Sequence, residues 1–270
     1  VWYHHFGRGL VKSLANFGRT GTPPTHPELL DWLAVSFVEQ GWSLKWLHRQ
    51  IMNSSTYRQS SQLRKEQFER DDDNRWISRM PLRRMEAESV RDTLLAVSGQ
   101  LDTNASGPPD AVDVRADGLV TSRPTGDGWR RTLYVQQRRK EIPTILEVFD
   151  LPQMNPNCVE RPASTVASQA LHLLNNPMVR KLSVQFAQRV ESEVGPDRYR
   201  QIVQIYRIGL SREPTSHEQR LALSTLEKLT AAWQRQVRSA DMEDELKPET
   251  RALAALCHVV MNSAEFLFVD

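Results

Sequence analysis

The feature that most constrains the fold is the stretch from Gly21 to Ser61, which has the pattern of two consecutive helices. Pro27 suits the first turn of a helix, where a missing N–H costs nothing. Gly41 can adopt the positive φ that often ends a helix. Thr25 and Glu28 have the spacing of a capping box, in which each side chain accepts a backbone N–H of the other residue. Between these ends apolar residues recur with helical spacing, at Leu30, Leu33, Ala34, Phe37 and Val38.

A second helix is predicted directly after the first. Ser43 is a residue type that commonly precedes a helix, and the stripe that follows it consists of Leu44, Leu47, His48, Ile51 and Ser55. Because only two or three residues separate the two helices, they must fold back on each other. The sequence therefore predicts a helical hairpin in which Leu33 and Phe37 face the same core as Leu47 and Ile51.

Helical patterns also dominate the rest of the chain. Apolar residues recur every three or four positions after Pro81, after Ser164 and from Tyr199 onwards. Thr215 and Glu218 have the spacing of a second capping box. We predict a mainly α fold of about eight helices, with the helical hairpin near the N-terminus and one short β element in the middle.

The middle of the chain differs in composition. Asp102 to Asp127 is rich in Gly, Pro and Asp and has little periodicity, which is typical of a binding loop, a lid or an insertion. Alternating apolar and polar residues then predict a strand from Trp129 to Arg139. We expect an N-terminal helical part (1–101), a loop-rich part with the strand (102–160) and a C-terminal helical part (161–270), which together form one composite domain.

Composition excludes several classes of protein. With 270 residues, 39% apolar and 25% charged residues, the chain can bury a substantial core. A net charge of +2 does not favour nucleic acid, and the arginines around the predicted strand favour a local anion site or internal ion pairs. No apolar run has the length of a membrane span. The two cysteines, Cys158 and Cys257, permit one disulfide at most, and the latter lies on an apolar helical stripe.

No cofactor motif is present in the sequence. There is no Gly-rich phosphate loop, no H-E-x-x-H, no G-x-S-x-G and no haem-attachment C-x-x-C-H. His4 and His5 are adjacent, so on a helix they point about 100° apart, a poor arrangement for one metal ion. We therefore predict no metal site and no cofactor within this chain.

Several motifs resemble those of the planctomycete-type domain of unknown function family 1553. They cover nearly the whole chain and are GRGLV (Gly7 to Val11), GTPPTHPELLDWLA (Gly21 to Ala34), STYRQS (Ser55 to Ser60), RRMEAESVRD (Arg83 to Asp92), STVASQALHLLNNP (Ser164 to Pro177), SREPTSHE (Ser211 to Glu218) and LCHVVMNSAEFLFVD (Leu256 to Asp270). The resemblance implies a domain of large exported bacterial proteins, located on the periplasmic or cell-surface side. It also implies that an uncharacterised domain lies upstream, often with a cytochrome-c-like module that would hold haem. Because the chain begins at Val1 inside such a motif, we expect it to be a piece of a longer protein.

Polar residues within or beside these motifs are the candidate site residues: His26, Tyr57, Arg84, Glu86, Arg131, Arg138, Asn175 and Asn176. His26 could contact an anion at the helix start or fix the preceding loop. Arg83, Arg84, Glu86 and Glu88 suit exposed charge pairs or a buried network. The Asn pair before Pro177 indicates a break in an apolar helix.

Three functions are compatible with the sequence. We favour an interaction or scaffold domain that docks the upstream domains of its own parent protein. The alternatives are an enzyme, acting on polysaccharide or in redox chemistry with the attached cytochrome module, and a carbohydrate-binding module that uses Trp and Tyr rings. Trp32, Trp46 and Trp233 fit core stripes, which weakens the last alternative. Convergence of the candidate residues in one cleft would favour the enzyme.

Overall fold

A computed structural model describes residues 1–104, 106–126, 128–152, 158, 160–161, 163–240 and 246–269. The chain forms two compact units. The first contains Val1–Arg84 with the short pieces Asn157–Glu160 and Phe268–Asp270, and the second contains Met85–Pro156 and Arg161–Leu267. The chain thus divides after Arg84, and the boundaries near 101 and 160 of one composite domain stay predictions.

The predicted fold class is confirmed, since helices dominate both units. In chain order the elements are α1 (Trp2–Phe6), α2 (Pro27–Glu39), α3 (Leu44–Asn53), α4 (Lys65–Arg70), β1 (Arg83–Arg84), α5 (Ala87–Val97), β2 (Leu101–Asp102), β3 (Val112–Val114), β4 (Val120–Ser122), β5 (Trp129–Arg130), a 3₁₀ helix (Thr132–Tyr134), α6 (Thr144–Val148), α7 (Ala167–Asn175), α8 (Pro177–Val194), α9 (Arg198–Leu210), α10 (Ser216–Ala240), α11 (Pro248–Met261), α12 (Ala264–Leu267) and β6 (Phe268–Val269).

The predicted hairpin of α2 and α3 is present in the first unit. Pro27 occupies the first turn of α2, Gly41 has φ +65°, and the Ser43 Oγ accepts a hydrogen bond from the Trp46 N–H at 3.2 Å. The predicted capping role of Thr25 is wrong, because its hydroxyl contacts the Leu10 carbonyl oxygen and the side chain of the next residue.

The predicted hairpin core is also wrong for the first helix. No residue of α2 is buried, and Trp32, expected in the core, is 53% exposed. The small core of this unit instead joins Ile51 of α3 to Phe6 of α1 and to Met80. Helical spacing correctly predicts that α2 is a helix. It does not show whether another element packs on the apolar residues of that helix.

A larger core fills the second unit. Helices α8 and α11 pack on each other, and α10 packs on α11. Their apolar stripes are completely covered at residues such as Leu182, Phe186 and Leu253. Cys257 lies in the same core, and burial raises the pKa of its thiol. The core stripes predicted for these helices follow from the apolar side of each helix facing a neighbour.

The middle of the chain departs from the sequence prediction. The predicted strand Trp129–Arg139 ends at Arg130, because the Asp92 carboxylate accepts the Thr132 N–H at 2.7 Å and a 3₁₀ helix follows. The segment expected to lack structure contains the antiparallel pair β3–β4, with Val112 opposite Ser122. Two further strand pairs occur among the described residues, parallel β2–β5 and antiparallel β1–β6.

Candidate functional site

Three of the predicted site residues lie in the first unit, each with different neighbours. His26 precedes α2, where its Nδ1 is 2.9 Å from the Thr25 Oγ1 and its ring stands edge-on to Trp76. Tyr57 packs edge-on against the ring of His5. Arg84 belongs to β1, opposite Phe268. The position of His26 fits its predicted loop-fixing role.

The predicted charge pairs near the start of α5 have an unexpected partner. Glu86 and Glu88 both accept hydrogen bonds from the Arg161 guanidinium, at 2.9 and 2.8 Å. Arg83 instead donates to the backbone carbonyl oxygen of His4 at 2.8 Å. Glu86 and Glu88 thus share a partner more than 70 positions away in the sequence. Long-range contacts fix these side chains.

Two other candidates form ion pairs at the surface of the second unit. The Arg131 Nε donates to the Asp92 carboxylate at 3.2 Å, and the Arg138 Nη1 donates to the Glu141 carboxylate at 3.3 Å. Both guanidinium groups are more than half exposed. Exposed pairs of this kind contribute little to stability.

The Asn pair separates two helices, as predicted. Asn176 is buried and caps α8, with its Oδ1 accepting the Met178 N–H at 2.8 Å and its Nδ2 lying 2.8 Å from the His172 Nε2. Burial lowers the pKa of His172. Asn175 is exposed and lines a cleft of about 420 Å³ together with Asn176, His172 and Asp117. The capping contacts fit the predicted structural role of the pair.

A buried polar centre in the second unit contains residues that sequence reasoning missed. The side chain of Arg91 is only 1% exposed. It donates to the Arg130 carbonyl oxygen at 3.0 Å, to the Thr132 Oγ1 at 3.2 Å and to the Ser122 Oγ at 2.8 Å. Burial lowers the pKa of Arg91, while nearby Asp92 opposes this effect. This guanidinium ties α5 to β4, β5 and the 3₁₀ helix.

A second buried guanidinium organises the adjacent loop. Arg130 forms an ion pair with Asp110, and both side chains are nearly inaccessible. The same guanidinium donates to the carbonyl oxygens of Ser106 and Pro108, and its hydrogen bond to Asp110 raises the pKa of Arg130. Gly107, with φ +98°, lets the loop turn around the side chain. No motif signalled this arrangement, because its members are separated by about 20 residues.

An exposed surface of the hairpin is the second feature that sequence reasoning missed. On one side of α2, and directly after it, four apolar side chains are 51 to 68% exposed: Trp32, Val35, Val38 and Trp42. Glu28, Asp31 and Glu39 lie on the same side of the helix as Trp32, Val35 and Val38, since these six positions repeat with a spacing of three or four residues. Trp42 lies in the turn that follows the helix. We call these seven residues the outer hairpin face.

Two histidines contact each other beside this hairpin. The His5 Nε2 lies 2.7 Å from the His48 Nδ1, so one ring donates to the other. Burial, and then the charges of His48 and Arg83, lower the pKa of His5. Among the described residues, no group of three or more His, Cys, Asp or Glu side chains could hold a metal ion. In the same residues, no helix has the length and apolar character needed to cross a membrane.

Comparison with known protein families identifies the chain. The model of the family described as PSD1, protein of unknown function (DUF1553), matches residues 1–226. The chain belongs to this family. The match covers 226 of the 270 residues of this DUF1553 chain and extends into α10. No curated protein and no solved structure matches it.

The eight predicted site residues are distributed over both units of this DUF1553 chain. Three lie in the first unit and five in the second. Within the second, Glu86, Arg131, Arg138 and Asn176 each contact a different side chain or helix end. The assignment of these residues to a functional site stays a prediction.

Proposed function

We propose that this DUF1553 chain is an interaction domain that docks another folded protein domain through the outer hairpin face. The observation that carries the proposal is the exposure of Trp32, Val35 and Val38 on one side of a helix without a buried residue, with Trp42 exposed in the turn that follows. Clustered exposed apolar side chains mark interaction surfaces more often than single ones do. Catalytic groups must converge on one reacting atom, whereas Glu86, Arg131, Arg138 and Asn176 contact different groups, which favours an interaction domain over an enzyme.

The backbone at Trp42 supports this function. Trp42 has φ +61°, a left-handed conformation that costs a non-glycine residue about 1 to 3 kcal/mol. Its side chain is 68% exposed and touches the edge of the Phe37 ring, with a centroid distance of 5.4 Å. A strained backbone that presents a large exposed aromatic side chain suits a docking anchor, and Trp is enriched among the residues that dominate binding energy.

Charge defines the chemistry of the partner. The three charged side chains of α2 are all acidic, Glu28, Asp31 and Glu39, and all three belong to the outer hairpin face. A complementary surface carries apolar side chains at its centre and Lys or Arg at its rim. From the resemblance to other members of the family, this partner is an upstream domain of the same exported polypeptide. That polypeptide often carries a cytochrome-c-like module with haem.

The test measures binding between two separately produced parts of the parent protein. The 270-residue chain and the upstream segment of its parent protein are produced separately, and their affinity is measured by calorimetry. Trp42→Ala and Val35→Asp are expected to weaken binding by roughly 10- to 30-fold, as loss of a central anchor does. Leu221→Ala, at an exposed apolar residue of α10, is the matched control and should leave affinity unchanged. Far-UV circular dichroism checks that each variant is folded.

Two results would overturn the proposal. One is the absence of binding between the two wild-type pieces. The other is binding that the control weakens as much as the hairpin variants do. Retention of the wild-type chain on insoluble polysaccharide, lost in Trp42→Ala without any change toward the upstream segment, would assign the exposed rings to carbohydrate instead.

A further inference from the structure

The second unit contains a cleft of about 370 Å³ beside the buried Arg130–Asp110 pair. This volume lies in the range of small-molecule sites. The lining residues of the cleft all belong to the second unit, and none of them is a residue of the outer hairpin face. From the residues that line the cleft, we propose that it binds the hydroxyl groups of a small carbohydrate, a monosaccharide or one unit of a longer chain.

An acceptor without a partner is the first observation. The Asp110 side chain is 2% exposed, and its Oδ1 accepts from the Arg130 Nε at 2.9 Å and the Thr125 Oγ1 at 2.8 Å. The other carboxylate oxygen, Oδ2, is buried and has no hydrogen-bond partner among the described residues. A buried charged oxygen without a donor is unfavourable, so a ligand that brings a donor to this wall is stabilised by it.

Two ion pairs already involve the charged groups of the cleft. The charge of Asp110 is already offset by Arg130, and Arg123 at the cleft edge pairs with Asp113. Asp102 is a further carboxylate of the lining. What the free oxygen lacks is a hydrogen-bond donor, and an uncharged group can supply one. A hydroxyl group meets this requirement and can also accept hydrogen bonds in return.

The remaining lining matches the rest of a sugar ring. Asn104 and Ser106 supply an amide and a hydroxyl group that can donate or accept, and the Thr125 hydroxyl, which donates to Asp110, can still accept. Pro108, Pro109 and Pro124 supply apolar surface. Sugars present hydroxyl groups at their edges and C–H groups on their faces, so they need this combination.

The test uses named sugars and the whole chain. Ligand-observed NMR is carried out with glucose, galactose, N-acetylglucosamine and their β-1,4-linked disaccharides at millimolar concentration. At least one is expected to bind. Asp110→Asn places an amide where Oδ2 stood and should weaken binding about tenfold, the value of one hydrogen bond to a charged group. Asp117→Asn, at an exposed carboxylate paired with Arg115, is the matched control.

A second variant protects the test against a folding defect. Asn104→Ala leaves the Arg130–Asp110 pair intact and should weaken binding several-fold. If Asp110→Asn fails to fold, unchanged binding in Asn104→Ala overturns the proposal. The absence of binding for every sugar also overturns it, as does equal binding by wild type and both cleft variants.

Discussion

Helices α2 and α8 begin alike and end in different surroundings. Each has a proline in its first turn, Pro27 and Pro177, and each has apolar residues with helical spacing. In α8 these side chains enter the main core, where Leu182 and Phe186 are fully covered. In α2 no side chain is buried. The periodicity that predicts a helix therefore says nothing about whether another part of the chain covers its apolar side.

The same contrast extends to charged groups. In the second unit Arg91 and Arg130 are buried among fixed acceptors, whereas the charged residues of α2 are exposed. Substitutions of buried residues in the second unit should thus have large effects on stability. Substitutions of the exposed residues of α2 should have small ones, and their effects should appear in binding.

The largest expected difference is between two phenylalanines. Phe186→Ala should cost roughly 3 to 5 kcal/mol of the free energy of unfolding, because it empties a fully buried aromatic site. Phe37→Ala, at a partly exposed residue of α2, should cost only about 1 kcal/mol. Urea denaturation followed by far-UV circular dichroism measures both. Equal costs would show that α2 is covered in solution and would remove the contrast.

Substitution of two arginines in the polar network should give an intermediate difference in stability. Arg91→Met should cost about 3 kcal/mol, since the Arg130 carbonyl, Thr132 and Ser122 lose a buried donor together. Arg131→Met removes an exposed guanidinium from Asp92 and should cost less than about 1 kcal/mol. Thermal unfolding of the two variants measures the difference. If Arg131→Met lowered the free energy of unfolding as much as Arg91→Met does, burial of the guanidinium would not explain the effect of Arg91→Met.

The smallest expected effect is a change of stability with pH at the start of α10. Hydrogen bonds from Arg212, and then from Thr215, lower the pKa of Glu218 to about 2. Because this folded pKa lies below the unfolded value, the carboxylate contributes stability above about pH 4.5 and loses that contribution as the pH falls toward 2. The side chain is part-exposed, so its contribution should stay below about 1 kcal/mol.

Melting temperatures of Glu218→Gln and wild type, measured from pH 7 to pH 2, check this expectation. The difference between them should shrink as the pH falls. Glu227→Gln, at an exposed position of the same helix, serves as the control and should differ little from wild type at any pH. A difference for Glu218→Gln that grows on acidification would have the wrong sign.

The two predicted capping boxes, one present and one absent in the structure, show how far the sequence can predict this fold. At α10 the Thr215 N–H donates to Glu218 at 2.7 Å, and the Glu218 N–H donates to the Thr215 Oγ1 at 3.3 Å, as predicted. Thr25 and Glu28 have the same spacing, but the backbone N–H of Thr25 donates to the Leu10 carbonyl oxygen at 2.8 Å. A long-range contact displaced a local one, and local spacing carries no information about such contacts.

The candidate sites were harder to predict for the same reason. Asn176 was identified because a proline follows it directly. Asp110 and Arg130 are 20 residues apart, and Arg91 is 39 residues from its acceptor at Arg130. No spacing rule connects them, because the loop and strands between them bring them together. The exposure of Trp32 was equally hidden, since apolar residues in a helical pattern normally indicate a core.

The pairing of β1 with β6 has a consequence for the order in which the first unit is completed. Phe268 lies opposite Arg84, 184 residues later in the chain. A ribosome that adds about 5 to 20 residues per second makes these residues roughly 10 to 40 s apart. During that interval β1 has no β6 to pair with, because the whole second unit is synthesised after β1 and before β6. The first unit is therefore begun early and closed last.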